Sequence, residues 1–119
     1  MHEYSITEAL VHAVEEEVRA LAVPAPVREV RLSLGLFSGA VRGPVEFYYD
    51  LLTSEGPLAG SRLVVEEVPL TLHCKDCGHD WIGESACFVC TKCGSFAVEI
   101  TGGKEMLVES ILFADEEER

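Results

Sequence analysis

Two Cys-x-x-Cys-Gly knuckles, Cys74/Cys77-Gly78 and Cys90/Cys93-Gly94, with twelve residues between them, constrain this chain more than any other feature. A two-residue gap lets both thiolates of a tight turn point at one ion, and the turn's amides can donate to the sulfurs. Glycine after the second cysteine suits the bend. Four thiolates at this spacing predict one tetrahedral zinc ion on Cys74, Cys77, Cys90 and Cys93. Four protein ligands leave no open coordination position, so the expected site is structural rather than catalytic.

A fifth cysteine, Cys87, also stands two residues before Cys90. Symmetry argues against pairing them, because Cys90 is followed by Thr91 whereas Cys77 and Cys93 are followed by glycine. Cys87 lies in an apolar run with Ala86, Phe88 and Val89 and reads as a small buried hydrophobe. A thioredoxin-like redox pair needs a strand-to-helix context, and neither knuckle opens onto a helical pattern.

The chain has 119 residues, enough for one modest core with a small metal-stapled module beside it. No apolar run approaches the roughly 18 residues needed to span a bilayer. Met1-His2-Glu3-Tyr4 has neither the basic region nor the apolar core of a signal peptide. Knuckle spacing with an odd cysteine left over fits a reducing cytosol better than a disulfide framework. The formal net charge is -12, and four thiolates around a dication make it more negative. Such a chain repels phosphate backbones, which argues against nucleic-acid binding. Neither a membrane nor a nucleic acid is therefore an expected partner, and a monomer or weak homodimer is the expected state.

Ser5-Ile6-Thr7-Glu8 reads as a capping box opening an amphipathic helix over 6–22, with Ile6, Leu10, Val14, Val18 and Leu21 at three- and four-residue steps. His12 falls on its solvated side, and Pro24 and Pro26 stop it. Residues 27–36 alternate, with Val30, Leu32 and Leu34 on one face and Glu29, Arg31 and Ser33 on the other, as in a half-buried strand. Pro44 suits the first turn of a second helix, whose Phe47-Tyr48-Tyr49 cluster reads as core packing. Strands follow over 63–68 and 106–113, with another over 96–100 returning from the cysteine module. Asp115 opens an acidic tail expected to be frayed.

The implied architecture is α+β: a small mixed sheet of about three strands with two helices, interrupted by a zinc-ribbon-like insertion. The division predicted is 1–68 plus 104–119 for the main domain and 69–103 for the insertion. Pro69 and the Gly102-Gly103 hinge mark its junctions.

The N-terminus offers a second constellation. The Met1 amine and the His2 amide would close a five-membered chelate ring on a metal; the His2 amide and its own Nδ1 would close a six-membered one. The Glu3 amide or carboxylate can complete a plane. Amides must lose protons to bind this way, which selects Ni(II) or Cu(II), and a reducing compartment favours nickel.

Met1-His2-Glu3, the paired knuckles, Ser95 and Gly103-Lys104-Glu105 together resemble the HypA family of nickel-incorporation proteins for [NiFe]-hydrogenase maturation. The resemblance covers nearly the whole chain. It implies a nickel-binding α/β domain with an inserted zinc domain, and Ni(II) delivery with a GTPase partner to the hydrogenase large-subunit precursor. It puts nickel on His2 and Glu3 with the N-terminus, and zinc on Cys74, Cys77, Cys90 and Cys93. Two departures stand out: Thr91 where the family often has proline, and the extra Cys87. Neither removes a ligand. A zinc-ribbon interaction module without a second metal, and an acidic oxidoreductase using Cys87 and Cys90, are the competing readings. No nucleophile–base pair, phosphate loop or paired-carboxylate motif marks an enzyme.

Overall fold

A computed structural model describes residues 2–83 and 88–115. The elements are α1 (His2–Leu21), β1 (Val27–Gly35), α2 (Arg42–Leu52), β2 (Arg62–Val68), β3 (Leu70–Cys74), β4 (Asp80–Gly83), β5 (Val98–Gly102) and β6 (Met106–Phe113). Among the described residues no helix is long and apolar enough to cross a membrane.

The helices and strands β1, β2 and β6 make the first unit. Its sheet runs β2-β1-β6, parallel between β1 and β2 and antiparallel between β1 and β6. Val30, Leu32 and Leu34 alternate onto one face of β1, beside Leu63 and Val65 of β2, and all are buried. Leu10, Val11 and Val14 of α1 and Val45 and Tyr49 of α2 belong to the same core. The Tyr49 hydroxyl bonds Ser61 at 2.7 Å, as a buried phenol requires.

Three expectations for this unit change. The first helix begins at His2, four residues before the expected start, so Ser5 and Glu8 lie inside it rather than capping it. Tertiary packing holds the added turn, with Tyr4 meeting Tyr48 edge-on at 5.2 Å, and within the helix Thr7 Oγ1 donates to the Glu3 carbonyl at 2.6 Å. At the other end Ala22, at φ 50°, turns the chain out of the helix.

Glu29, expected in the solvated row, is buried because two guanidiniums cover it, Arg31 at 2.6 Å and Arg62 at 3.1 Å. These bonds hold its carboxyl below the ordinary range. In the aromatic cluster only Tyr49 enters the core. Phe47 is 64% exposed and Tyr48 is half-buried.

The second sheet, β4-β3-β5, is antiparallel and lies in the chain between β2 and β6. Two of its strands were not expected. Leu70-Thr71-Leu72-His73 alternates cleanly, but Pro69 directly before it signals a boundary and masks the strand. β4 has only four residues. The returning strand begins at Val98, two residues after the expected start at 96.

Between the sheets, β2 runs into β3 and β5 into β6, and the C-terminal end of β1 wedges between these two ribbons. Leu36 N–H donates to Val68 O at 2.8 Å, Phe37 N–H to Gly103 O at 2.8 Å, and Gly35 N–H to Glu105 O at 2.9 Å. A Cβ on Gly35 would lie 2.3 Å from Gly103 O, and one on Gly103 would lie 2.5 Å from Pro69 O. Glycine here permits backbone contact, so the Gly102-Gly103 junction is a bonded crossing rather than the loose hinge expected. The radius of gyration is 18.0 Å, against about 14 Å for a compact chain of this length, as two sheets set end to end require.

Candidate metal centres

The two knuckles have the same local architecture. Cys74 N–H donates to His79 O and Gly78 N–H to Cys74 O; Cys90 N–H donates to Ser95 O and Gly94 N–H to Cys90 O, all at 2.9 Å. Gly78 sits at φ 79° and Gly94 at φ 76°. A Cβ at either would meet nothing within 4 Å. The left-handed backbone, not space, requires glycine at both.

Folding these turns brings four sulfurs together. The Sγ atoms of Cys74, Cys77, Cys90 and Cys93 all lie within 4.8 Å of one another. The Cys74–Cys93 and Cys77–Cys90 pairs are each 3.6 Å apart, both across the knuckles. A tetrahedron with metal–sulfur bonds of about 2.3 Å has edges of about 3.8 Å, so the donor set fits one four-coordinate soft ion. Cys74 and Cys90 are buried, while Cys77 and Cys93 are exposed. Asp76 accepts from the Ser95 hydroxyl, tying one knuckle to the other. Sequence reasoning missed that clasp; its only trace was the polar residue after Cys93-Gly94.

The electrostatics of the cluster point the same way. Burial alone would raise the Cys90 thiol, but the Cys93 and Lys92 amides, each 3.4 Å from its sulfur, bring it down to about 6. For Cys93 an amide at Ser95 favours the thiolate, yet partial desolvation by the packed turns and the three neighbouring sulfurs push it up to about 12. Cys77 is raised as well: a backbone bond at His79 and the Cys93 sulfur lower it, but partial desolvation and the Cys90 and Cys74 sulfurs outweigh them. One thiolate forms readily and the next ones are opposed by it. Only a cation at the centre lets all four ionise together.

The flanking histidines are engaged nearby. His73 Nδ1 lies 2.7 Å from Asp80 Oδ1, and the His79 ring stacks on Trp81 with centroids 5.4 Å apart. Cys87 lies outside the described residues.

The second constellation sits at the first turn of α1. His2 Nδ1 lies 3.7 Å from Glu3 Oε2, with the His2 side chain 58% exposed. A Cβ at Gly39, which holds φ +91°, would lie 3.4 Å from His2 Cε1, so the ring rests on the loop between β1 and α2. That contact was not legible in the sequence. His2 and Glu3 bring two side-chain donors together. Among the described residues the four cysteines form the one group of three or more metal-ligating side chains drawn together. Met1 lies outside the described residues. His12, expected on a solvated face, is exposed, with Nε2 3.2 Å from Glu16.

Two helices on a three-stranded sheet, carrying a second sheet with four converging sulfurs, define a small metal-binding α+β protein. The sequence profile of the HypA family, described as hydrogenase/urease nickel incorporation metallochaperones, matches residues 1–113. The hydrogenase maturation factor HypA of Desulfosudis oleivorans is 34% identical over 116 residues, covering 93% of this chain and 96% of its own length. The HypA of a Roseiflexus species is 36% identical over 117 residues, covering 98% and 94%. The solution structure of the nickel metallochaperone HypA from Helicobacter pylori superposes with a TM-score of 0.67 at 26% identity, covering 96% of this chain and 98% of that one. The chain belongs to the HypA family, and its role lies in nickel incorporation during hydrogenase maturation.

Proposed function

We propose that this chain is a non-catalytic nickel carrier that binds Ni(II) at its N-terminus and delivers it to the [NiFe]-hydrogenase large-subunit precursor with a GTPase partner. In this reading His2 supplies Nδ1 and its amide nitrogen, Met1 its amine, and Glu3 an amide or carboxylate. Cys74, Cys77, Cys90 and Cys93 hold a zinc ion. Bound there, zinc offsets half of the thiolate charge and fixes the fold of an inserted domain, 69–103, within a nickel-binding domain of 1–68 plus 104–119.

The observation that carries the nickel assignment is the position of His2 and Glu3 in the first turn of α1, with Nδ1 and Oε2 3.7 Å apart. The first four amides of a helix have no intrahelical partner, so ligation by the His2 and Glu3 nitrogens breaks no helical hydrogen bond. The helix dipole opposes a cation at this end. Deprotonating those amides removes part of that positive end, and the Glu3 carboxylate offsets the rest. A shallow chelate at a helix tip also leaves the ion within a partner's reach, as delivery demands.

The test is calorimetry with Ni(II) on the chain beginning at Met1, on His2→Ala and on a form extended by one residue before Met1. Loss of the site in both variants, with four-thiolate metal content unchanged, is the expected outcome. Undiminished nickel binding in His2→Ala would overturn the assignment. Absence of nickel binding in the wild-type chain would leave the competing reading, a zinc-ribbon interaction module without a second metal.

A further inference from the structure

Helix α2 is apolar on two sides and covered on one. Val45 and Tyr49 are fully buried against the sheet, and Leu52 packs against the same core. On the other side Pro44, Phe47, Tyr48 and Leu51 follow at three- and four-residue steps and form one row. Phe47 is 64% exposed and Leu51 56%, and Val41, at the helix N-cap, is 60% exposed. A surface helix ordinarily buries its apolar stripe and turns polar residues outward. Among the described residues, nothing brings Phe47 or Leu51 under cover.

The charges around this row are one-sided. Asp50 and Glu55 are exposed, and Glu46 is partly so. The cation at the helix start, Arg42, is already answered by Glu46 at 3.4 Å and Glu67 at 3.5 Å. The rim is acidic on a chain of net charge -12. A second copy would bring the same acidic rim against it, and an anionic lipid surface would be repelled in the same way.

We infer that the exposed pair Phe47 and Leu51 of α2, with Val41 at the helix N-cap, is a docking ridge for another protein, one presenting an apolar groove rimmed by Lys or Arg. This is the helix-in-groove mode with α2 as the inserted helix, its anchors Phe47 and Leu51 one turn apart. The ridge stands beside the N-terminal end of the chain. Tyr48, edge-on to Phe47 at 5.3 Å, also meets Tyr4, and the loop leading into α2 carries Gly39 against the His2 ring. A protein seated here therefore lies next to His2. Its relevance to nickel transfer rests on the function proposed above, whereas the docking itself does not.

The experiment places a photoreactive p-benzoylphenylalanine at Phe47 in hydrogenase-producing cells that carry this chain in place of their own copy. The cross-linked peptide is then sequenced by mass spectrometry. The inference expects an adduct with a different protein, at an apolar segment flanked by Lys or Arg. Leu51→Glu should lower its yield about 30-fold, as for a central anchor, and Asp50→Lys with Glu55→Lys should lower it as well. Leu51 is exposed, so Leu51→Glu should leave helicity, thiolate metal content and Ni(II) affinity unchanged. An adduct with a second copy, with lipid or with an acidic segment would overturn the inference, as would no adduct at all or a yield indifferent to Leu51→Glu. An adduct of the expected kind from a chain that binds no nickel would sustain the ridge and sink the nickel assignment.

Discussion

Replacing Gly78 with alanine isolates the contribution of knuckle geometry to metal affinity. The position holds φ 79°, and an added Cβ meets nothing within 4 Å, so steric overlap contributes nothing. The whole penalty is the left-handed backbone, about 1–2 kcal/mol for a residue with a Cβ. Without metal the knuckle is free to relax and escapes that penalty. With metal, both thiolates must point at one centre and the strain returns. Because binding and local folding form one free-energy change in such modules, the penalty should surface as a loss of roughly 5- to 30-fold in metal affinity. Gly94→Ala should match it, since φ there is 76° and the space is equally open. Asparagine tolerates this backbone better and should lose less.

Gly60 supplies the control. It has φ +82° and open space, but lies between α2 and β2, far from the knuckles in sequence. Gly60→Ala should lower the melting temperature and leave metal affinity alone. Competition against a chromophoric chelator at fixed pH reads these differences directly. Wild-type affinity in Gly78→Ala, or an equal loss in Gly60→Ala, would refute the coupling of knuckle backbone to metal.

Further outcomes concern the cysteines and the buried Glu29. Cys74→Ala should lose the thiolate metal and melt the β3–β5 sheet, whereas Cys87→Ala should retain one equivalent; elemental analysis of the purified variants checks both. Glu29 is held below its ordinary value of 4.5 by hydrogen bonds from Arg31 and Arg62, so folding favours its ionised form. That stabilisation is complete above 4.5, declines as pH falls through the lower folded-state value, and is absent below both. Glu29→Gln should therefore melt below the wild type at neutral pH, with the gap narrowing under acid; a gap constant down to about pH 3 would contradict this.

The sequence made the four-cysteine cluster legible because ligand spacing and the following glycine are dictated locally. It also disclosed the three-stranded sheet and its helices, since Val30, Leu32 and Leu34 alternate and the α1 hydrophobics recur at helical steps. What escaped it was set by distant contacts. The extra turn of α1 depends on Tyr4 meeting Tyr48 at 5.2 Å, a pair 44 residues apart. Glu29 is buried by Arg62, brought beside it by parallel pairing with β2. Phe47 and Tyr49 look alike in composition, and only the direction of α2 across the sheet decides which enters the core. The wedge at Gly35 and Gly103 joins positions from opposite halves of the chain, so a glycine pair read as a hinge turns out to be a bonded crossing.

The central claim is that cargo and structural metal occupy separate donor sets: nitrogen and oxygen at His2 and Glu3, sulfur at the four cysteines. X-ray absorption at the nickel and zinc edges, on the chain beginning at Met1 loaded with one equivalent of each ion, tests it most directly. The account predicts a nickel shell of nitrogen and oxygen with imidazole scattering, and a zinc shell of four sulfurs at about 2.3 Å. Sulfur in the nickel shell, or loss of sulfur from the zinc shell when nickel is added, would contradict it.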